Sequence, residues 1–158
     1  MMWTPVPDIQ QAWVNTKTIG GKISVILFYL LVLYFMLSAS WSIFFPYQEC
    51  LMAGIGGNDN PIAVAAVRAA YVFSVGFFIY ALVGGYRIFN VIMVAVFLLA
   101  DMIIWTSVAK EMDQLGCHDD MVGLYVFCAG AVLALVLALL DDKLGDRNAG
   151  AESLPLNV

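Results

Sequence analysis

Residues 62–86, IAVAAVRAAYVFSVGFFIYALVGGY, and residues 88–109, IFNVIMVAVFLLADMIIWTSVA, carry the architecture of this chain. A helix needs about 20 predominantly apolar residues to cross a hydrocarbon core of about 30 Å. Each stretch has that length. Only Arg87 separates them, in the turn sequence Gly84-Gly85-Tyr86-Arg87. Two spans joined by so short a link must run antiparallel as a transmembrane hairpin. Each holds a single charge at membrane depth, Arg68 in the first and Asp101 in the second.

On either side of this hairpin lies a further apolar run, 23–48 and 121–140, and neither contains a charged residue. Of the 158 residues, 63% are hydrophobic and 12% charged, about half the charged share of a soluble domain. The sequence therefore predicts an all-α integral membrane protein. Its core is a four-helix transmembrane bundle over 23–140, with spans at about 23–46, 62–85, 88–109 and 121–140. Residues 1–22 form an N-terminal arm and 141–158 a polar C-terminal tail. The connecting loops, about 47–61 and 110–120, are too short to hold a domain. Ser38-Ala39-Ser40 loosely resembles a signal cleavage site, but the apolar run continues through Trp41 to Phe45. A signal core is only about 7–15 residues, so this is read as a retained first helix.

Lys and Arg in short loops set orientation. Lys17, Lys22, Arg87, Lys143 and Arg147 share one side of a four-span layout, whereas Lys110 sits on the other among Glu49, Asp59, Glu111, Asp113, Asp119 and Asp120. Both termini and the Arg87 turn are expected on the cytoplasmic side, with the plasma membrane as the expected location. Trp3, Trp13, Trp41 and Tyr47 fit the two interfacial aromatic belts. Cys50 and Cys117 fall one on each outward loop, where an oxidising compartment would allow a disulfide between the two hairpins. Two free thiols are the alternative. Cys128 lies inside the fourth span and reads as a small packing residue.

The arm carries Pro5 and Pro7, then Asp8 as an N-cap candidate for a short surface helix. Pro46 closes the first span. Gly54, Gly56, Gly57, Asn58, Asp59, Asn60 and Pro61 are turn chemistry. No strand precedes these glycines and no Gly-Lys-Ser/Thr follows, so they form no phosphate loop. The tail turns polar and Gly-rich from Asp141 and is expected to be disordered beyond one helical turn. It ends Leu156-Asn157-Val158, a pattern that some PDZ domains accept. Helices approach closely in lipid where residues are small. Ala66, Ala70 and Ser74 form one such ladder, and Gly130, Ala134 and Ala138 another. Both are expected at helix–helix faces, within one bundle or between copies.

Arg68 lies about seven residues and Asp101 about nine residues below the same outer surface, each roughly 10–14 Å deep. An ionised side chain there costs several kcal/mol unless paired or wet. Opposite charges at one level on adjacent antiparallel helices are expected to pair. The pair would be a staple fixing register, or an ion or proton site. Ser38, Ser42, Tyr71 and Ser74 could add hydrogen bonds, and Asn90, Phe97 and Asp101 share roughly one face of the third span.

Other chemistry lacks its residues. The one histidine, His118, lies in an outward loop, so a b-type haem has no axial ligands in the spans. His118 with Cys117, Asp119 and Asp120 has no second ligand cluster, and no metal site or other cofactor is expected. No Ser/His/Asp or Cys/His set appears at membrane depth, and no Thr-Val-Gly-Tyr-Gly filter or Arg-rich span occurs. The net charge of −5 and the lack of a basic patch give no support to nucleic-acid binding.

Lys17-Thr18, Gly20-Gly21-Lys22 and Leu27-Phe28-Tyr29 together resemble the membrane entry of sodium-pump β subunits. That family has one span and a large ectodomain, which this chain lacks, so no residue role is carried across. The layout of four spans with two outward loops resembles MARVEL-type tetraspan proteins in architecture alone. The expected function is non-catalytic: an accessory or scaffold subunit that contacts the lipid bilayer and packs against other membrane proteins or against itself. The alternative is a small ion, proton or solute transporter or channel using Arg68 and Asp101.

Overall fold

The computed structural model describes residues 9–45, 61–107 and 118–152, all in helices or their short connections. Helix α1 is Ile9–Asn15, α2 is Ile19–Phe44, α3 is Pro61–Gly84, α4 is Ile88–Ser107 and α5 is His118–Glu152. Four of them are long and apolar enough to span a membrane: Ile19–Phe44, Val64–Gly84, Ile88–Ser107 and Val122–Lys143. The protein is a four-span helical membrane protein. Asp8, the Cys50–Cys117 pairing, the 46–60 and 108–117 segments and the Leu156-Asn157-Val158 ending lie outside the described residues.

Local chemistry sets the helix ends. Thr18 has extended backbone angles (φ −113°, ψ 159°), and its hydroxyl oxygen accepts from the Gly21 N–H at 2.9 Å. That N-cap starts α2 at Ile19, ahead of the apolar run itself. Pro61 opens α3, where a missing N–H costs nothing. Gly85 then takes φ 70°, a left-handed conformation that ends α3 and that a side chain would strain. Three residues on from Gly85, α4 begins.

The C-terminal expectation needs correction. Residues after 140 are not disordered beyond one turn; α5 continues through Glu152. Extending a helix that already exists avoids the nucleation cost, and the Ala, Leu, Lys and Arg in this stretch are good helix formers.

Packing is uneven. Helix α2 lies against both α3 and α5, and α4 lies against α5, whereas α3 and α4 approach sparsely after their shared turn. Val25, Phe28, Val32, Phe78, Leu98 and Cys128 are among the core residues. Rings link the helices across this core: Tyr34 and Phe35 on α2 meet Phe127 on α5, and Phe35 stacks on Phe78 of α3. Phe77 and Phe78 of α3 contact Phe97 of α4 at 4.6 and 5.3 Å between ring centroids. Large rings thus bridge a gap that the α3 and α4 backbones leave open.

Candidate functional site

One cluster of polar groups lies at the end that holds the start of α2, the α3–α4 turn and Asp141 of α5. Asp141 reaches across to the α2 cap. One carboxylate oxygen accepts from the Thr18 N–H at 2.8 Å and the Thr18 hydroxyl at 2.6 Å, and the other accepts from the Lys17 N–H at 3.4 Å. These N–H groups belong to the α2 start, where the helix dipole also favours a negative charge. The approach demands glycine: a Cβ on Gly21 would stand 2.5 Å from the Asp141 carboxyl. Nearby, Lys22 Nζ sits 5.2 Å from the Trp13 ring centroid, tying α1 to α2 by a cation–π contact.

One turn deeper, Ser24 is fully buried and donates to the Ala134 carbonyl of α5 at 2.6 Å. The Tyr86 hydroxyl donates to Ser24 Oγ at 2.9 Å, and the Tyr86 N–H donates to the Tyr29 hydroxyl at 3.2 Å. Asn90 turns back and donates to the Gly85 carbonyl at 2.8 Å. One chain of hydrogen bonds therefore joins α2, the α3–α4 turn and α5, and Asn90 closes the turn itself. Among the described residues no buried side-chain nitrogen or oxygen lacks a partner. Burial lifts the Tyr86 phenol above its usual 10.0; the Ser24 hydrogen bond partly opposes this and the Asp141 charge adds to it. Tyr86 accordingly stays a neutral donor at any physiological pH.

Sequence reasoning missed this knot as a unit. Its signals were present: a Thr-x-x-Gly cap, and an Asp placed just where the last apolar run ends. What the sequence did not show is that both lie at one corner.

The intramembrane charges are arranged differently from expectation. Arg68 is exposed on α3, and among the described residues it has no acidic partner. Asp101 is half-buried on α4 and takes a hydrogen bond from Trp105, one turn along its own helix. The expected Arg68–Asp101 pair within one chain is not formed. Helical phase explains why. Phe77 follows Arg68 by nine residues, about two and a half turns, so the two point in opposite directions. Phe77 is the residue that stacks on Phe97 of α4, so Arg68 faces away from α4. Spacing along the helices does not determine which way a side chain faces. Ser42 and Ser74, candidates to support the pair, donate instead to Ser38 and Ala70 carbonyls in their own helices.

The two small-residue ladders also part company. Ala134 and Ala138 are 2% and 5% exposed, and a Cβ on Gly130 would touch Leu31 of α2 at 4.0 Å, so this ladder seats α5 on α2. Ala66 and Ala70 are exposed and Ser74 is half-buried. Cys128 is buried and its thiol donates to the Leu98 carbonyl at 3.2 Å, linking α5 to α4. A lengthwise groove of about 510 Å³ runs beside it, lined by aliphatic side chains with Tyr125 and Met102.

No family model, curated protein or solved structure matches this chain.

Proposed function

We propose that this protein is a non-catalytic packing subunit of a membrane: a scaffold or accessory protein that assembles with other membrane proteins or with its own copies. The observation that carries this is the outer half of α3. Among the described residues between Pro61 and Phe73, Val64 and Val67 are buried, beside Tyr71, while Ala65, Ala66, Arg68, Ala69, Ala70, Val72 and Phe73 are exposed. Small side chains permit close helix approach in lipid, where no hydrophobic force drives association. An arginine at that depth carries a solvation cost that a neighbouring protein can offset. The other polar groups support the same reading. They are spent on fixed hydrogen bonds at helix ends and on backbone carbonyls, not on a path through the bundle. We place the Asp141 end in the cytoplasm, because Lys17, Lys22, Arg87 and Lys143 lie there, and the plasma membrane is the location that fits such a layout.

Transport is the reading this displaces. An ion or proton site built on an Arg68–Asp101 pair needs the two groups together, and in the single chain Arg68 faces away from the helix that carries Asp101. The test is direct. Purified protein in liposomes is assayed for proton and cation flux, and membranes that express the full chain are extracted in mild detergent and sized. No flux, with a native particle larger than the 17.3 kDa chain in its micelle, is the expected result. Flux that disappears in Asp101→Asn would overturn it.

A further inference from the structure

Among the described residues neither Arg68 nor Asp101 has a charged partner in the single chain, and counting along the helices puts them at nearly one height. Measured from the α3–α4 turn at about 1.5 Å per residue, Arg68 stands about 24 Å above Gly84 and Asp101 about 20 Å above Ile88. An extended arginine side chain easily covers the difference. Chains inserted in the same membrane share their orientation, so these heights also match between neighbouring copies.

Their surroundings differ in a complementary way. Val64 and Val67, both buried, flank Arg68 on one side of α3, and residues 65, 69, 72 and 76 lie within about a third of a turn on its other side. They are Ala65, Ala69, Val72 and Gly76, all exposed, and a Cβ on Gly76 would meet nothing within 4 Å. Arg68 thus stands at the edge of an exposed strip of mostly small residues that another helix can approach closely. Asp101 follows Phe97 by one turn of α4, on the side turned toward α3, where the two backbones approach only sparsely. Asp101 is half-buried there, with Trp105 as its hydrogen-bond donor.

We propose that a second copy of this chain covers these surfaces, with Arg68 of one copy pairing with Asp101 of the next. This rests on the packing role proposed above and names the partner. Arg68 points away from its own α4 while Asp101 lies on the α3 side of it, so one copy offers its two charges to two different neighbours. The contact is head-to-tail, and it forms a ring where the rotation between neighbours closes and an open row where it does not. Guanidinium and carboxylate then desolvate each other, and the small strip on α3 lets the helices come close enough for a two-pronged hydrogen bond.

Charge-reversal variants test this through mixing. Full-length chains are labelled and reconstituted in liposomes at fixed protein-to-lipid ratio, and association is read by energy transfer and by photobleaching steps. Wild type associates. Arg68→Asp alone sets two acids together at each contact, Asp101→Arg alone sets two arginines, and both are expected to fall to monomers. Mixed in equal amounts, they regain association, because the acid at 68 meets the arginine at 101 and the native charges meet each other. Rescue by mixing cannot arise from a pair within one chain. Should a reversal variant fail to fold by circular dichroism, the neutral variants Arg68→Gln and Asp101→Asn are used, each expected to weaken association about tenfold or more. Monomeric wild type overturns the self-pairing, as does association that both variants leave unchanged. A purified chain that is monomeric yet extracted from native membranes in a larger particle would overturn self-pairing and leave the packing role standing. Flux through the liposomes would instead remove the packing role.

Discussion

The corner around Asp141 and the outer half of α3 are both built from small and polar residues on apolar helices, yet one is closed and the other open. At the corner, Gly21, Thr18 and Ser24 bring backbone and side-chain oxygens within hydrogen-bond reach of a neighbouring helix. On outer α3, Ala65, Ala66, Ala69 and Ala70 bring nothing across, and they stay exposed with Arg68 among them. Small residues allow approach; they do not cause it. In lipid the attraction must come from packing area or from polar groups that find partners. The corner has such partners within one chain. Outer α3 has a charge with no acidic partner among the described residues.

The sharpest way to break this contrast is to open the corner. Asp141→Ala leaves the Thr18 N–H, the Thr18 hydroxyl and the Lys17 N–H without their acceptor, and hydrogen bonds to a charged group contribute about 1.5–3 kcal/mol each. Because the site is partly open, a loss of about 3 kcal/mol in SDS-titrated unfolding is expected. Gly21→Ala should reach much of the same loss by pushing the carboxyl away, since the new Cβ would sit 2.5 Å from it. The double variant should then cost little more than Asp141→Ala, because both remove one contact. Full additivity would show that Gly21 serves something other than this contact.

A second comparison sets the ladders against each other. Ala134→Leu forces three extra carbons into the α2–α5 face and is expected to destabilise the chain by about 2 kcal/mol. Ala70→Leu, on the exposed ladder, is expected to change unfolding of the single chain by less than about 0.5 kcal/mol. Equal costs would mean that outer α3 is packed within the chain after all.

Much of this was legible from residue order. Run length and the absence of charge decide the number of spans, because the bilayer tolerates little else. Gly84-Gly85 announced the hairpin, and the left-handed Gly85 supplies the reason. The depths of Arg68 and Asp101 followed from counting. Their facing did not, because it depends on which helices become neighbours, and the α2–α3, α2–α5 and α4–α5 contacts are set by long-range packing. The ladders failed to discriminate for the same reason: spacing marks a face but not its occupant. Thr18 and Asp141 stand 123 positions apart in the chain, and only the fold brings them side by side with Ser24 and Tyr86.

The smallest expected effect concerns Tyr86 and isolates the polar link from the packing around it. Tyr86→Phe keeps the edge-on contact with Phe28 and removes the hydroxyl that donates to Ser24. Ser24 keeps the Ala134 carbonyl as acceptor, so the loss at neutral pH should be about 1 kcal/mol. Alkaline pH gives the second half of the test. The phenol titrates higher in the fold than its usual 10.0, so the folded state holds its proton more tightly than the unfolded chain does. That contribution is complete below pH 10.0 and is lost as pH rises from there through the raised folded value. Wild type should therefore lose stability above about pH 10 more steeply than Tyr86→Phe, and the two curves should converge. Parallel curves would mean that the Tyr86 hydroxyl is already hydrated in the membrane, and that the corner is closed by Asp141 and Ser24 without it.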